Sequence, residues 1–205
     1  MEDIDKLLGE MQLYGQENKI PIINEKGKPA LVEAVRQKRP HRVLEIGTAI
    51  GYSTLLIARE AAEDVEIDTL ELSEERAEIA QAYISRSVYK DRIKIHVGDA
   101  GEIITALSGK YDFVFIDAAK GQYPDYFRKL YPLLSADGMI VADNVLFRGY
   151  VMGNREYPRR FKTIVKRLRE YIALVSNTPE FATVIKEDGD GLAISQRLMV
   201  ESDNQ

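Results

Sequence analysis

The stretch EIGTAIGYS, Glu45 to Ser53, closes the apolar run RVLEI and leads into the periodic stretch TLLIARE. A β-type run, a loop holding Gly47 and Gly51, then helical spacing make a strand-turn-helix, the opening unit of an α/β sheet whose strand ends face a ligand. The alternation extends outward from there. Upstream, Ile4, Leu7, Leu8, Met11 and Leu13 recur at helical spacing, PIINEKGKP forms a loop, and a helix is expected from about Ala30 to Gln37. Downstream come a helix to about Ala62, strand EIDTLEL, a helix from Glu74 to about Val88, strand RIKIHV and a short helix from about Gly101 to Leu107. Strand YDFVFID, a helix from Tyr123 to Leu134, strand GMIVAD and an amphipathic helix through a basic segment follow, and FATVIK and GDGLAISQRLM close the chain as two β-like runs around EDGDG. The pattern reads as α/β: a seven-stranded, mostly parallel sheet with an antiparallel final strand and helices on both faces. One domain is expected over residues 1–205, with residues 1–40 as an N-terminal helical cap and 148–170 as the basic segment.

Composition narrows the chemistry. The chain has 205 residues, 45% hydrophobic and 30% charged, which suits one well-buried core. No apolar run approaches the ~18–20 residues of a membrane span. MEDIDKLLGEMQLYGQ is acidic and amphipathic, unlike a signal peptide, so a cytoplasmic protein without a membrane partner is expected. Cysteine is absent, excluding disulfides, thiolate nucleophiles and Cys-based zinc sites. With only His41 and His96 present, any metal is expected to rest on oxygen ligands, as a hard cation such as magnesium does. The net charge is −5, yet Arg148 to Glu170 carries eight Lys/Arg against two Glu, a local +6 that leaves −11 elsewhere. Such a run is either a solvated helix face or a phosphate-contacting patch.

The glycine loop has the form G-x-x-x-G; it lacks the third glycine of a dinucleotide fingerprint and the Lys-Ser/Thr of a Walker loop. Taken alone, it also fits a helix start with no ligand. Glu71 ends the second strand about twenty residues on, where a carboxylate can accept both hydroxyls of a ribose. Asp99 in HVGDA adds an acceptor on the same sheet edge. Acidic strand ends suit a positively charged nucleoside better than a pyrophosphate, and S-adenosylmethionine, a sulfonium carrying an adenosine, meets that requirement.

The fourth strand ends in FIDAAKGQY and the fifth in VADNVL. Asp117, Asp143 and Asn144 thus fall at neighbouring strand ends, where their oxygens can meet on one hard cation with positions left for water and substrate. Each alone also reads as a turn former or helix cap. Lys120, three residues past Asp117 and behind two small alanines, is either a surface lysine or a base.

Together EIGTAIGYS, TLELSEERAEIA, VGDA, FIDAAK and DNV resemble the metal- and S-adenosylmethionine-dependent O-methyltransferases of the catechol and caffeoyl-coenzyme A type, over almost the whole chain. FIDAAKGQYPDYF, DNVLFRG, the basic run and GDGLAIS look more narrowly like the bacterial branch that methylates 5-hydroxyuridine at the tRNA wobble position. The resemblance implies a Rossmann-like class I methyltransferase fold, magnesium or a similar cation on Asp117, Asp143 and Asn144, and a base at Lys120. It puts the cofactor's amino acid end near Gly47, Ser53 and Asp117, its ribose on Glu71 and its adenine near Asp99 and Ala100. Glu45 and Gly98 join that cofactor set, and Ile22 with Ile23 lines the mouth. Ala118 and Ala119 depart from the bulky pair of the catechol enzyme and allow a larger acceptor. Arg148, Arg155, Arg159 and Arg160 are expected to hold a tRNA backbone, and the family implies a homodimer.

The expected reaction is in-line transfer to an oxygen whose neighbouring oxygen shares the cation. 5-Hydroxyuridine and a catechol both offer that oxygen pair. The alternatives are therefore a small-molecule O-methyltransferase acting on catechol-like phenols and, from another class, a non-catalytic RNA- or cofactor-binding module. Intact Asp117, Lys120, Asp143 and Asn144 speak against the last.

Overall fold

Residues 2–153 and 156–199 are described by the structure, a computed structural model. Among them α1 (Ile4–Glu17), α2 (Lys28–Lys38), β1 (Arg42–Ile46), α3 (Tyr52–Glu60), β2 (Glu66–Glu71), α4 (Glu74–Arg86) and β3 (Ile93–Val97) come first. α5 (Ala100–Ala106), β4 (Tyr111–Ile116), α6 (Tyr123–Leu130), β5 (Leu134–Asp143), α7 (Lys162–Asn177), β6 (Phe181–Lys186) and β7 (Leu192–Arg197) complete the alternation. They form a seven-stranded sheet of order β3-β2-β1-β4-β5-β7-β6. β1 to β5 pair in parallel, and β7 runs antiparallel between β5 and β6.

The parallel strands read as nearly continuous apolar runs because both faces are covered. Val43, Ile67, Phe113 and Val141 pack toward α1 to α4 on one face; Leu44, Leu70, Val114 and Ile140 pack toward α5 to α7 on the other. Within the sheet, away from the strand ends that carry Asp117 and Asp143, a polar cluster is built on Asp68, the third residue of β2. Its carboxylate meets His96 Nε2 at 2.7 Å and accepts from the Tyr111 hydroxyl at 2.8 Å, with the Arg42 guanidinium at 3.4 Å.

Two boundaries depart from the sequence reading. The helix from Tyr123 stops at Leu130 and passes through a 3-10 turn, Tyr131–Leu133, because Pro132 has no N–H to donate; β5 starts at Leu134 rather than at Gly138. The basic segment is not one helix: Asn144, Phe147, Arg148 and Gly149 all have positive φ, which breaks helical geometry, and α7 begins only at Lys162. None of the helices over the described residues is long and apolar enough to cross a membrane.

Candidate active site

β1, β2, β4 and β5 end around one cavity of about 420 Å³. Gly47, at the end of β1, has φ +104, and a Cβ there would overlap the Asp117 carbonyl oxygen. The glycine is therefore required by the close approach of β1 to β4, which brings the loop and Asp117 to the same rim. Gly51 caps α3 at φ +83, with its α carbon facing Ala80 and Ile84 of α4. No side chain caps α3, so its first N–H groups and the positive end of its dipole are left toward the cavity that Tyr52 and Ser53 line.

Glu71 lies on the cavity wall and is also a brace. Its two carboxylate oxygens accept from the Ala49 N–H at 2.8 Å and from the Ser73 N–H at 3.0 Å, so it fixes the glycine loop while keeping lone pairs for a ligand. Gly98, Asp99 and Ala100 line the same wall, Asp99 as the N-cap of α5 through Glu102 N at 3.2 Å. Ile22 and Ile23 close the wall from the loop after α1.

Glu45 does not line the cavity. It is fully buried behind the loop, where it accepts hydroxyls from Ser53 at 2.5 Å, Thr69 at 2.6 Å and Thr54. Burial pushes its carboxyl up to about 7 against the pull of these hydroxyls. Through these hydroxyls it holds Ser53, which lines the cavity, and the start of α3.

Asp117, Lys120, Asp143 and Asn144 converge on the cavity. The Lys120 amine stands 3.7 Å from Asp117, and Asp143 Oδ1 accepts from the Asn144 N–H at 2.7 Å. Burial raises the Asp117 carboxyl despite Lys120, while burial and then the charge of Asp117 push Asp143 up to about 7. The buried Asp143 and half-buried Asp117 carboxylates beside the Lys120 amine carry more negative charge than that amine neutralises, which is the electrostatic setting a cation fits. Among the described residues no group of three or more His, Cys, Asp or Glu side chains that could hold a metal is found. The candidate set is instead two carboxylates and the Asn144 amide, all oxygen donors, which suits a hard cation with open positions.

The basic segment divides by use. Arg167 Nε donates to the Gly121 carbonyl at 3.1 Å, and Arg169 donates to the carbonyls of Val151 at 3.0 Å and Tyr150 at 3.2 Å, so both clamp loops beside the site. Arg148 lies over the Phe147 and Phe161 rings at 5.9 and 5.6 Å, and Arg160 over Phe161 at 4.9 Å. Arg159 and Arg160 are exposed, and Arg155 lies outside the described residues.

Sequence reading missed several wall residues: Asn24, Tyr52, Leu72, Arg76, Gln122 and Tyr126. Leu72 carried a usable signal, being an apolar residue directly after a strand-end acid; it is 72% exposed at the rim.

A sequence model described as O-methyltransferase matches residues 10–198. A catechol O-methyltransferase from Niastella koreensis is 29% identical over 95% of this chain and 96% of its own length. A caffeoyl-CoA O-methyltransferase from Eucalyptus gunnii is 29% identical over 77% of this chain, which spans 66% of that plant protein. Among solved structures, an O-methyltransferase from Bacillus cereus in complex with SAH superposes with a TM-score of 0.83 at 26% identity, covering 96% of this chain and 92% of that one.

Proposed function

We propose that this chain, which belongs to the O-methyltransferase family, moves the methyl of S-adenosylmethionine onto a hydroxyl that has a second oxygen beside it. The observation that carries this reading is the meeting, in one cavity, of the loop from Gly47 to Ser53 with the Asp117 and Asp143 carboxylates and Lys120. SAH, held by the Bacillus cereus relative, is what S-adenosylmethionine becomes after giving up its methyl. Here Glu71 would take the ribose hydroxyls, Asp99 and Ala100 the adenine, and the start of α3 the amino acid carboxylate.

Asp117, Asp143 and Asn144 would hold magnesium or a similar cation, which when bound supplies a shared seat for both acceptor oxygens and lowers the hydroxyl's pKa. Lys120, at the same rim, takes the hydroxyl proton so that the oxygen left behind meets the methyl in line. Ile22 and Leu72 add apolar wall to the same cavity.

For the acceptor we propose 5-hydroxyuridine at the wobble position of tRNA. Ala118 and Ala119 leave room for a base carried on a backbone, and exposed Arg159 and Arg160 lie on the segment following Asn144, where flanking phosphates would lie. The Niastella koreensis relative favours a second reading, a catechol-like phenol. Both acceptors should be offered to the purified protein with S-adenosylmethionine and magnesium, with and without chelator. Methylation of tRNA bearing 5-hydroxyuridine, lost in chelator, supports the first reading; rapid turnover of a catechol with none of the tRNA selects the second. Full activity in chelator removes the cation from both.

A further inference from the structure

Tyr123 begins α6 and is fully buried, with no part of it on the cavity wall. Its hydroxyl reaches two carbonyls, that of Asp143 at 3.0 Å and that of Ile116 at 3.3 Å. The first carbonyl belongs to one candidate ligand, and the second is the peptide oxygen leading directly into the other, Asp117. Ile116 and Ala142 are register partners, so the phenol spans β4 and β5 where their ladder stops and the carboxylates begin. A phenol has one proton, which these two oxygens share. The ring is fixed edge-on against Tyr171, centroids 5.5 Å apart, so the hydroxyl has little freedom to leave.

We infer that Tyr123 is a positioning residue: by tying the Asp143 and Ile116 carbonyls together from behind, it sets the separation of the Asp117 and Asp143 carboxylates and hence their grip on a divalent cation. The inference rests on reading those carboxylates as cation ligands. A hydroxyl that only filled a packing need would lie anywhere in the cluster, as that of Tyr171 does, buried and without a hydrogen-bond partner among the described residues.

The test compares Tyr123→Phe with Tyr171→Phe, each keeping its ring. Calorimetric titration of the full chain with Mn²⁺ should show about 10-fold weaker binding for Tyr123→Phe, the low end for losing an outer support of a metal ligand. Its affinity for S-adenosylmethionine and its KM for it should hold while kcat falls, and Tyr171→Phe should match wild type in Mn²⁺ affinity. Wild-type Mn²⁺ affinity in a folded Tyr123→Phe overturns this inference alone, as does an equal loss for Mn²⁺ and S-adenosylmethionine, which marks a packing defect. A wild-type protein that takes up no Mn²⁺ overturns the cation reading and this inference with it. Should Tyr123→Phe not fold, 3-fluorotyrosine placed at position 123 reports instead: its fluorine resonance should move on adding Mg²⁺, more than one at position 171, and indifference to Mg²⁺ overturns the inference.

Discussion

Asp68 and Asp143 are strand carboxylates of one sheet, both largely out of water, yet their surroundings drive them in opposite directions. Burial works against the charge of Asp68, but His96, Tyr111 and Arg42 outweigh it and hold the carboxyl below its usual range. Asp143 accepts from the Asn144 N–H, and burial with Asp117 behind it raises the carboxyl to about 7. A strand acid that has gathered its donors is finished as a structural part. One left short of them, at the end where parallel strands open, is held ready for something that is not part of the chain.

The largest break in that comparison comes from Lys120, whose amine stands beside the donor-poor pair. Lys120→Ala should lower kcat by ~10²–10⁴-fold, the scale for losing a positioned base, with S-adenosylmethionine affinity unchanged by calorimetry. A wild-type rate would make the amine a bystander.

Next is Asp143→Asn, which should end turnover and yet stabilise the metal-free fold. Because its folded pKa is raised, the native chain binds more protons than the unfolded one between the ordinary carboxylate value, 3.8, and about 7, so stability falls as pH rises through that window. The amide removes the fall. Urea unfolding in chelator should give Asp143→Asn an advantage of about 2–4 kcal/mol above that window and none below it. No advantage at high pH would mean that the carboxylate is already satisfied.

Asp68→Asn should do the reverse. A lowered pKa gives stability that is present above the ordinary carboxylate range and lost as pH falls through the folded value, so the variant should be less stable near neutrality by ~1–3 kcal/mol, converging on wild type in acid. Turnover should be untouched. If activity disappears while the fold stands, the cluster is more than structural.

The smallest change in the fold is expected from Arg159→Ala with Arg160→Ala, exposed and therefore within about 0.5 kcal/mol of wild type in stability. The logarithmic salt slope of tRNA binding should flatten by about one unit per lost phosphate contact. An unchanged slope would assign these arginines to solvent.

The order and type of the elements were legible because 3.6-residue and continuous apolar patterns alternate without ambiguity, and strand ends are where acids such as Asp117 and Asp143 stand out against Val and Ile. What the sequence hid was direction. The family resemblance put Glu45 in the cofactor set, but alternation along β1 turns it inward to three hydroxyls. Gly47 lines the cavity, and what the sequence did not show is that its missing Cβ makes room for the Asp117 backbone. The carbonyls that Arg167 and Arg169 reach, those of Gly121 and Val151 among them, leave no mark in a sequence, so the loop-clamping use of these side chains was hidden. Asn24 and Tyr126 reach the cavity from elements whose packing only the fold supplies.

The place of β7 has a consequence for assembly. The strand lies between β5 and β6 although it is the last to be made, and its pairing with β5 reaches Asp143 opposite Leu192 and continues with Val145 and Leu146 donating to Gly191 and Asp190. The edge of β5 that presents Asp143 and Asn144 therefore stays unzipped until β7 has been made and pairs with β5 on one side and β6 on the other. Such late, non-local pairing is slow to form. A nascent chain can thus own a complete glycine loop while its acidic end is still unset, and a stop codon before Leu192 would abolish the site at a distance without deleting any residue that lines it.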